Sequence, residues 1–324
     1  MNYNIKVQPA GLSFNADADA SILDSALSAN IHLEHSCKTG DCGVCTAELH
    51  AGLVVDSFGN SYTSDRILTC STKPRSDLEL VAEVYPELAA IQQKVIPAKV
   101  DQILFAVKDV VVITLRLPPN ANFHYLPGQY IDMTYQGVKR SYSIANAQVV
   151  STGIELHIRR VPNERLSELL FTEIKKESLL RIEGPKGTFF VRDTGRPIIF
   201  LAGGTGFAPI KAMIEKLVAD QCRRRFHIYW GMPSASMFYH DIARQWAESH
   251  ASISYIPVVS EPGENWQGRT GLVHKAVLED FSDLSDFDVN ACGSPLMIEA
   301  AKKDFLLNGL DARNFYSDAF TPAK

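Results

Sequence analysis

The chain has 324 residues, with 32 Lys and Arg against 37 Asp and Glu, and a net charge of −5 at pH 7. That length predicts two or three domains with ordinary buried cores, and the acidic balance excludes nucleic acid as a principal partner, because phosphate binding needs a basic face. No stretch approaches the run of about eighteen apolar residues that a membrane span requires. The opening residues Met1 to Val7 alternate polar and apolar, with no basic stretch ahead of an apolar one, so a cytoplasmic protein is expected.

Residues 1–90 read as a first domain. Two short strands flank the turn Pro9-Ala10-Gly11, and a helix follows in which Ile22, Leu23, Ala26 and Leu27 recur at helical spacing. Strands around 47–49 and 78–84 complete a small mixed sheet of the β-grasp kind. Between helix and sheet stand Cys37, Cys42 and Cys45, with Cys70 further on; gaps of four, two and twenty-four residues give the ligand spacing of a plant-type [2Fe–2S] cluster. Gly40 and Gly43 permit positive φ in that run and leave backbone N–H groups to face the sulfurs. Zinc, disulfides and buried small thiols are the other readings, although a four-thiolate zinc site uses paired C-x2-C knuckles that this spacing lacks. The nine histidines show no ligand pairing. Residues 85–97, bracketed by two prolines, read as a linker.

In residues 98–192 short alternating runs at 110–117, 129–135, 154–160 and 179–182 predict an antiparallel β-barrel with one helix near 166–173. In residues 193–324 the texture changes to strands at 198–202, 226–230, 254–259 and 288–291 alternating with helices, which predicts a doubly wound parallel sheet. The fold class is therefore multidomain, α+β followed by α/β. Gly203-Gly204-Thr205-Gly206 closes the first of these strands and opens a helix with Pro209 in its first turn, the setting of a phosphate-binding turn, though not the G-x-G-x-x-G fingerprint. Arg223-Arg224-Arg225 reads as a solvated turn before a strand, and Cys222 as an ordinary cysteine.

Arg140-Ser141-Tyr142-Ser143, set after a strand and a turn at Gln136-Gly137, lies between the cysteine motif and the glycine turn. With these motifs the chain resembles the ferredoxin–NAD(P) reductase superfamily over essentially its whole length, which implies FAD and NADH beside the [2Fe–2S] cluster. The resemblance puts Arg140 on a flavin phosphate, Tyr142 against the isoalloxazine and Ser143 near N5, roles that suit a guanidinium, an aromatic ring and a hydroxyl. The family's Gly-x-x-Ser helix start meets the pyrophosphate. Ser167 matches it, but Glu164 stands at the glycine, where it either turns to solvent with Arg165 compensating or weakens flavin binding. The turn Gly203, Gly204, Thr205, Gly206 would receive the nicotinamide nucleotide. Cys292-Gly293-Ser294-Pro295 resembles the family's C-G-x-P element beside the nicotinamide, a small buried thiol being the other reading of Cys292. Residues 184–190 match a structural junction. Residues 315–320 resemble the closing strand, with Asp318 and Phe320 as candidates at the flavin face, or simply a tail strand packed on the sheet.

Flavin accepts a hydride and releases single electrons, so the implied order is NADH, FAD, cluster, then an electron-accepting partner enzyme. His35-Ser36-Cys37-Lys38, Tyr229-Trp230-Gly231-Met232-Pro233 and the stretches 64–70 and 315–320 are similar to the CDP-6-deoxy-Δ3,4-glucoseen reductases. That branch implies a pyridoxamine-phosphate-dependent CDP-sugar dehydratase as partner. The reductase component of a multicomponent oxygenase shares every motif, and a non-enzymatic redox-sensing or electron-carrier module is a reading of another class. A monomer is expected. The absence of Lys and Arg from 231 to 242 predicts NADH over NADPH.

Overall fold

Ile5 and Val7 alternate with polar neighbours, which makes Asn2–Gln8 a strand with one buried face, and the chain doubles back beside it as Leu12–Asp17. The computed structural model describes residues 1–151 and 153–320, so the last four positions of the predicted 193–324 domain lie outside the described residues. The chain divides into two compact units, Met1–Gln92 and Gln93–Lys324.

In the first unit a five-stranded mixed sheet runs in the order Leu12–Asp17, Asn2–Gln8, Leu78–Val81, Thr46–Ala51, Asp65–Leu68. The helix Ile22–Ser28 is capped by Ser21, whose hydroxyl accepts from the Asp24 N–H at 3.0 Å, and it buries Ile22, Leu23 and Ala26 completely. The arrangement is the β-grasp sheet expected. The register Thr46↔Leu68 carries Cys45 opposite Thr69, whose N–H and hydroxyl both donate to the Cys45 carbonyl at 3.1 Å. A sheet of three two-residue strands, Val54–Val55, Ser61–Tyr62 and Lys73–Pro74, was not foreseen, because such short pieces carry no periodicity.

The second unit begins with six antiparallel strands in the order Val138–Ser143, Tyr130–Tyr135, Leu179–Lys186, Lys94–Val107, Val110–Arg116, Ile154–Arg159. An isolated bridge between Ile144 and Leu156 draws the two ends together into a barrel. Its core includes Ile113, Leu115, Ile131, Leu156, Leu166 and Leu170. The strand Lys94–Val107 starts inside the segment read as a linker. Pro97 pairs only with Arg181, since pairing with Val110–Arg116 begins at Lys99; a missing N–H is tolerated at such a one-sided position.

Six parallel strands follow, ordered Arg269–Thr270, Ile253–Val259, Phe226–Met232, Ile198–Gly203, Asp288–Gly293, Phe315–Ala319. The chain builds outward from Ile198–Gly203 and then returns to its other side, so the order reverses between Ile198–Gly203 and Asp288–Gly293. Open α/β sheets bind ligands at that switch point. The basic run is not a uniformly solvated turn: the Arg224 side chain is largely covered and donates to the Arg192 carbonyl at 2.7 Å and to the Asp288 carboxylate at 2.6 Å. Asp288 is buried in the sheet and needs that countercharge. Among the described residues no helix is long and apolar enough to cross a membrane.

Candidate cluster, flavin and nucleotide sites

The cysteine loop leaves the first unit's helix and returns to its sheet with Lys38, Gly40 and Gly43 at positive φ. Its thiols fall into two pairs. Cys45 Sγ lies 3.1 Å from Cys70 Sγ, and Cys37 is hydrogen-bonded through sulfur to Cys42. The hydrogen bond from Cys42 brings Cys37 down to about 4 and pushes Cys42 up, and likewise Cys45 is raised by its bond to Cys70 while Cys70 is lowered. All six cysteines are free thiols, and the 3.1 Å separation is far beyond the roughly 2.05 Å of a disulfide. Among the described residues no three His, Cys, Asp or Glu side chains gather around a single metal position. Two thiol pairs rather than one tetrad suit a two-iron cluster, in which each iron takes two thiolates, and the Thr39 N–H faces Cys37 Sγ at 3.4 Å.

In the second unit a cavity of about 700 Å³ is lined by Arg140, Tyr142, Ser143 and Ser167 from the barrel, Thr205 from the glycine turn and Phe320 after the last strand. The strand Val138–Ser143 delivers the first three, and burial pushes the Tyr142 phenol well above its ordinary range. The cavity fits the flavin that the sequence motifs imply: it holds an aromatic, a hydroxyl and three guanidiniums, those of Arg140, Arg159 and Arg165, and the buried Arg140 Nε has no aligned acceptor. Cys292 and Asp318 do not line it. They lie opposite one another on neighbouring parallel strands, both buried, and burial together with Asp318 raises the Cys292 thiol well above normal. The Phe320 N–H donates to the Gly293 carbonyl at 2.8 Å, which ties that aromatic to the same strand ends.

Glu164 is turned inward. It caps the helix Arg165–Thr172, its carboxylate accepting from the N–H groups of Leu166 at 3.2 Å and Ser167 at 2.7 Å, and it stands 2.9 Å from Arg140 Nε. Of the two alternatives expected, solvent exposure with Arg165 compensating does not hold, since the side chain is turned in towards Arg140. The Ser167 hydroxyl is occupied within its own loop, accepting from the Val161 N–H at 3.0 Å and close to the Val161 and Glu164 carbonyls, each at 3.1 Å.

A second cavity, of about 420 Å³, opens at the carboxyl ends of the parallel strands and is lined by Gly203, Gly231, Ser260, Val273, Ser294 and Met297. Beside it Gly204 adopts φ +57°, and a Cβ on Gly206 would sit 2.2 Å from the Cys292 carbonyl oxygen, so the turn must be glycine to pack this closely. Trp230 supports the turn: it stacks on Phe207 at 4.0 Å and 12°, and its Nε1 donates to the Gly204 carbonyl at 2.9 Å.

A buried polar network joining barrel and parallel sheet escaped the sequence reading. His157, on the wall of the large cavity, contacts Glu155 at 2.8 Å through Nε2 and the Tyr239 hydroxyl at 3.0 Å through Nδ1. Lys211 Nζ lies 3.0 Å from Glu155 and 2.6 Å from Glu215 and donates to the Ala145 carbonyl at 3.1 Å. Burial pushes the Glu155 carboxyl up, but His157 and Lys211 bring it down to about 2; burial lowers His157 despite Glu155. One signal was legible in retrospect: Lys211 interrupts an otherwise apolar helix start and is followed four residues on by Glu215.

Three domain families match the chain in order: a 2Fe-2S iron-sulfur cluster binding domain over residues 5–75, an oxidoreductase FAD-binding domain over 97–191 and an oxidoreductase NAD-binding domain over 200–303. The chain is 54% identical over 322 residues to protein RfbI of Salmonella typhimurium, covering 99% of this chain and 97% of that one. It is 52% identical over 330 residues to the CDP-6-deoxy-L-threo-D-glycero-4-hexulose-3-dehydrase reductase of Yersinia pseudotuberculosis, covering all of both. Among solved structures, the Amycolatopsis cytochrome P450 reductase GcoB matches with a TM-score of 0.80 at 25% identity, over 99% of this chain and 100% of that one.

Proposed function

We propose the following role for this chain, which belongs to the ferredoxin–NAD(P) reductase superfamily in the branch with an amino-terminal plant-type [2Fe–2S] domain: it is an NADH-dependent iron–sulfur flavoprotein reductase serving a pyridoxamine-phosphate-dependent CDP-sugar dehydratase in the cytoplasm. NADH yields electrons as hydride and the cluster passes them singly, and bound FAD supplies the conversion between the two. Cys37 with Cys42, and Cys45 with Cys70, would each hold one iron. Arg140 and the first amides of the helix Arg165–Thr172 would hold the flavin diphosphate, Tyr142 would cover the ring, and Ser143 would hydrogen-bond a ring nitrogen. The turn from Gly203 to Gly206 would take the nucleotide phosphates. Cys292 and Asp318, buried behind the wall, would act by fixing Gly293 and Phe320 rather than by touching the ring.

The observation that supports this reading is a cavity lined together by Arg140, Tyr142, Ser143, Thr205 and Phe320. The dehydratase branch draws its support from full-length identity of 52% to a dehydrase reductase, against 33% to the reductase component of a Comamonas terephthalate 1,2-dioxygenase. The test is to purify the protein anaerobically, expecting about two irons and one FAD per chain, and to pair it with the dehydratase and its CDP-6-deoxyhexulose substrate. NADH oxidation coupled to loss of the sugar 3-hydroxyl is expected. Coupling to a ring hydroxylase but not to the dehydratase would move the chain to the oxygenase reductases, and NADH that bleaches no flavin would make it a carrier.

A further inference from the structure

Of the donors assigned above to the flavin diphosphate, the two amides already have an acceptor and Arg140 has a carboxylate beside it. Glu164 stands 2.9 Å from Arg140 Nε and accepts from Leu166 N–H at 3.2 Å and Ser167 N–H at 2.7 Å. Its side chain is only 13% exposed, and both it and Arg140 line the flavin cavity. The Arg140 Nε is close to the carboxylate yet misaligned for a hydrogen bond, so the pair is held by charge rather than by directed geometry. A helix start with a guanidinium beside it is built for an anion. Two anions cannot hold the same two amides.

We propose that Glu164 is an internal stand-in for the flavin diphosphate, so that FAD binds by exchange: the carboxylate must release Arg140 and the two amides before the diphosphate can take them. The proposal rests on the assignment of this helix start to the diphosphate. FAD affinity is then set by competition within the chain. Removing the competitor tightens binding by about fivefold, the equivalent of about 1 kcal/mol for a partly exposed ion pair. The effect is confined to phosphate-bearing flavins, because riboflavin does not compete for these donors.

The test follows FAD fluorescence as full-length holoprotein is diluted, and flavin rebinding to the stripped full-length chain, for wild type, Glu164→Gln, Glu164→Gly and Arg140→Gln; thermal melting of each stripped chain checks folding. Tighter FAD binding in both Glu164 variants, with riboflavin affinity unchanged, is the expected result. Unchanged FAD affinity in both overturns the exchange, as does a gain in the glycine variant alone, which would mark backbone access as the controlling factor. The site assignment is tested separately: Arg140→Gln should weaken FAD but not riboflavin. If it leaves FAD affinity untouched the diphosphate sits elsewhere, whereas weakening by Arg140→Gln with no effect of Glu164→Gln sinks the stand-in alone.

Discussion

Two helices of the second unit start beside cavities, and they start differently. The helix Arg165–Thr172 opens under a carboxylate from its own chain, with two amides already satisfied by Glu164. The helix Phe207–Ala219 opens after Gly206, with no side chain bonded to its first amides and with a Cβ excluded at that position by the Cys292 carbonyl. The second start has no side chain competing for it; its Phe207 N–H closes on the Gly204 and Thr205 carbonyls of its own turn. The first is filled by a movable side chain, so a ligand there meets a competitor. Helix ends with similar dipoles can thus differ in availability through a single residue.

The largest expected change spares both helix starts. Cys42→Ser should abolish reduction of one-electron acceptors through the cluster while NADH still bleaches the flavin, because the cysteine loop belongs to a separate compact unit. A variant whose flavin can no longer be reduced would show that the units do not act independently. Next in size is Gly206→Ala, which attacks the open start: an added Cβ 2.2 Å from the Cys292 carbonyl must displace the turn. Flavin bleaching by NADH should slow about 100-fold, the order expected for misplacement by about an ångström, with FAD content retained. Near-normal bleaching would mean the nucleotide phosphates bind elsewhere.

The open start should also read nucleotide charge through its surroundings. No Lys or Arg occurs from 231 to 242, so kcat/KM for NADH should exceed that for NADPH by about tenfold, the worth of one charged hydrogen bond. Equal values would place a cation from another segment at the ribose. The smallest change sharpens the view of the capped start. Ser167→Ala removes the hydroxyl that closes the 161–167 loop and should cost about 1 kcal/mol in denaturant unfolding, with FAD release altered in proportion. A loss of FAD well beyond the loss of stability would show that the hydroxyl touches the phosphate itself.

Motifs of short range were legible from the sequence: the cysteine spacing, the tetrapeptide from Arg140 to Ser143 and the glycine turn all carry their chemistry within a few residues. The strands of both larger sheets were legible too, since alternation and apolar runs are local properties. The start of Lys94–Val107 was hidden because Pro97 looks like a break until its one-sided pairing is known. The network around Lys211 was hidden because its partners lie far away in the chain, Tyr239 being 82 residues from His157. Glu164 was seen as a departure from the family pattern, but its direction depends on Arg140, which only the fold brings beside it.

That buried network also bears on how the protein can be inherited and recombined. Lys211 and Glu215, from the helix Phe207–Ala219, bond Glu155, the Ala145 carbonyl and the Ala147 N–H of the barrel. A cut between the two halves would take from Lys211 its contacts with Glu155 and the Ala145 carbonyl and from Glu215 the Ala147 N–H, leaving the buried Lys211–Glu215 pair with fewer partners. Shuffling among relatives should therefore transmit the flavin and nucleotide halves together as one cassette, while the cysteine-bearing unit, whose core closes on its own residues, can be traded as a separate part.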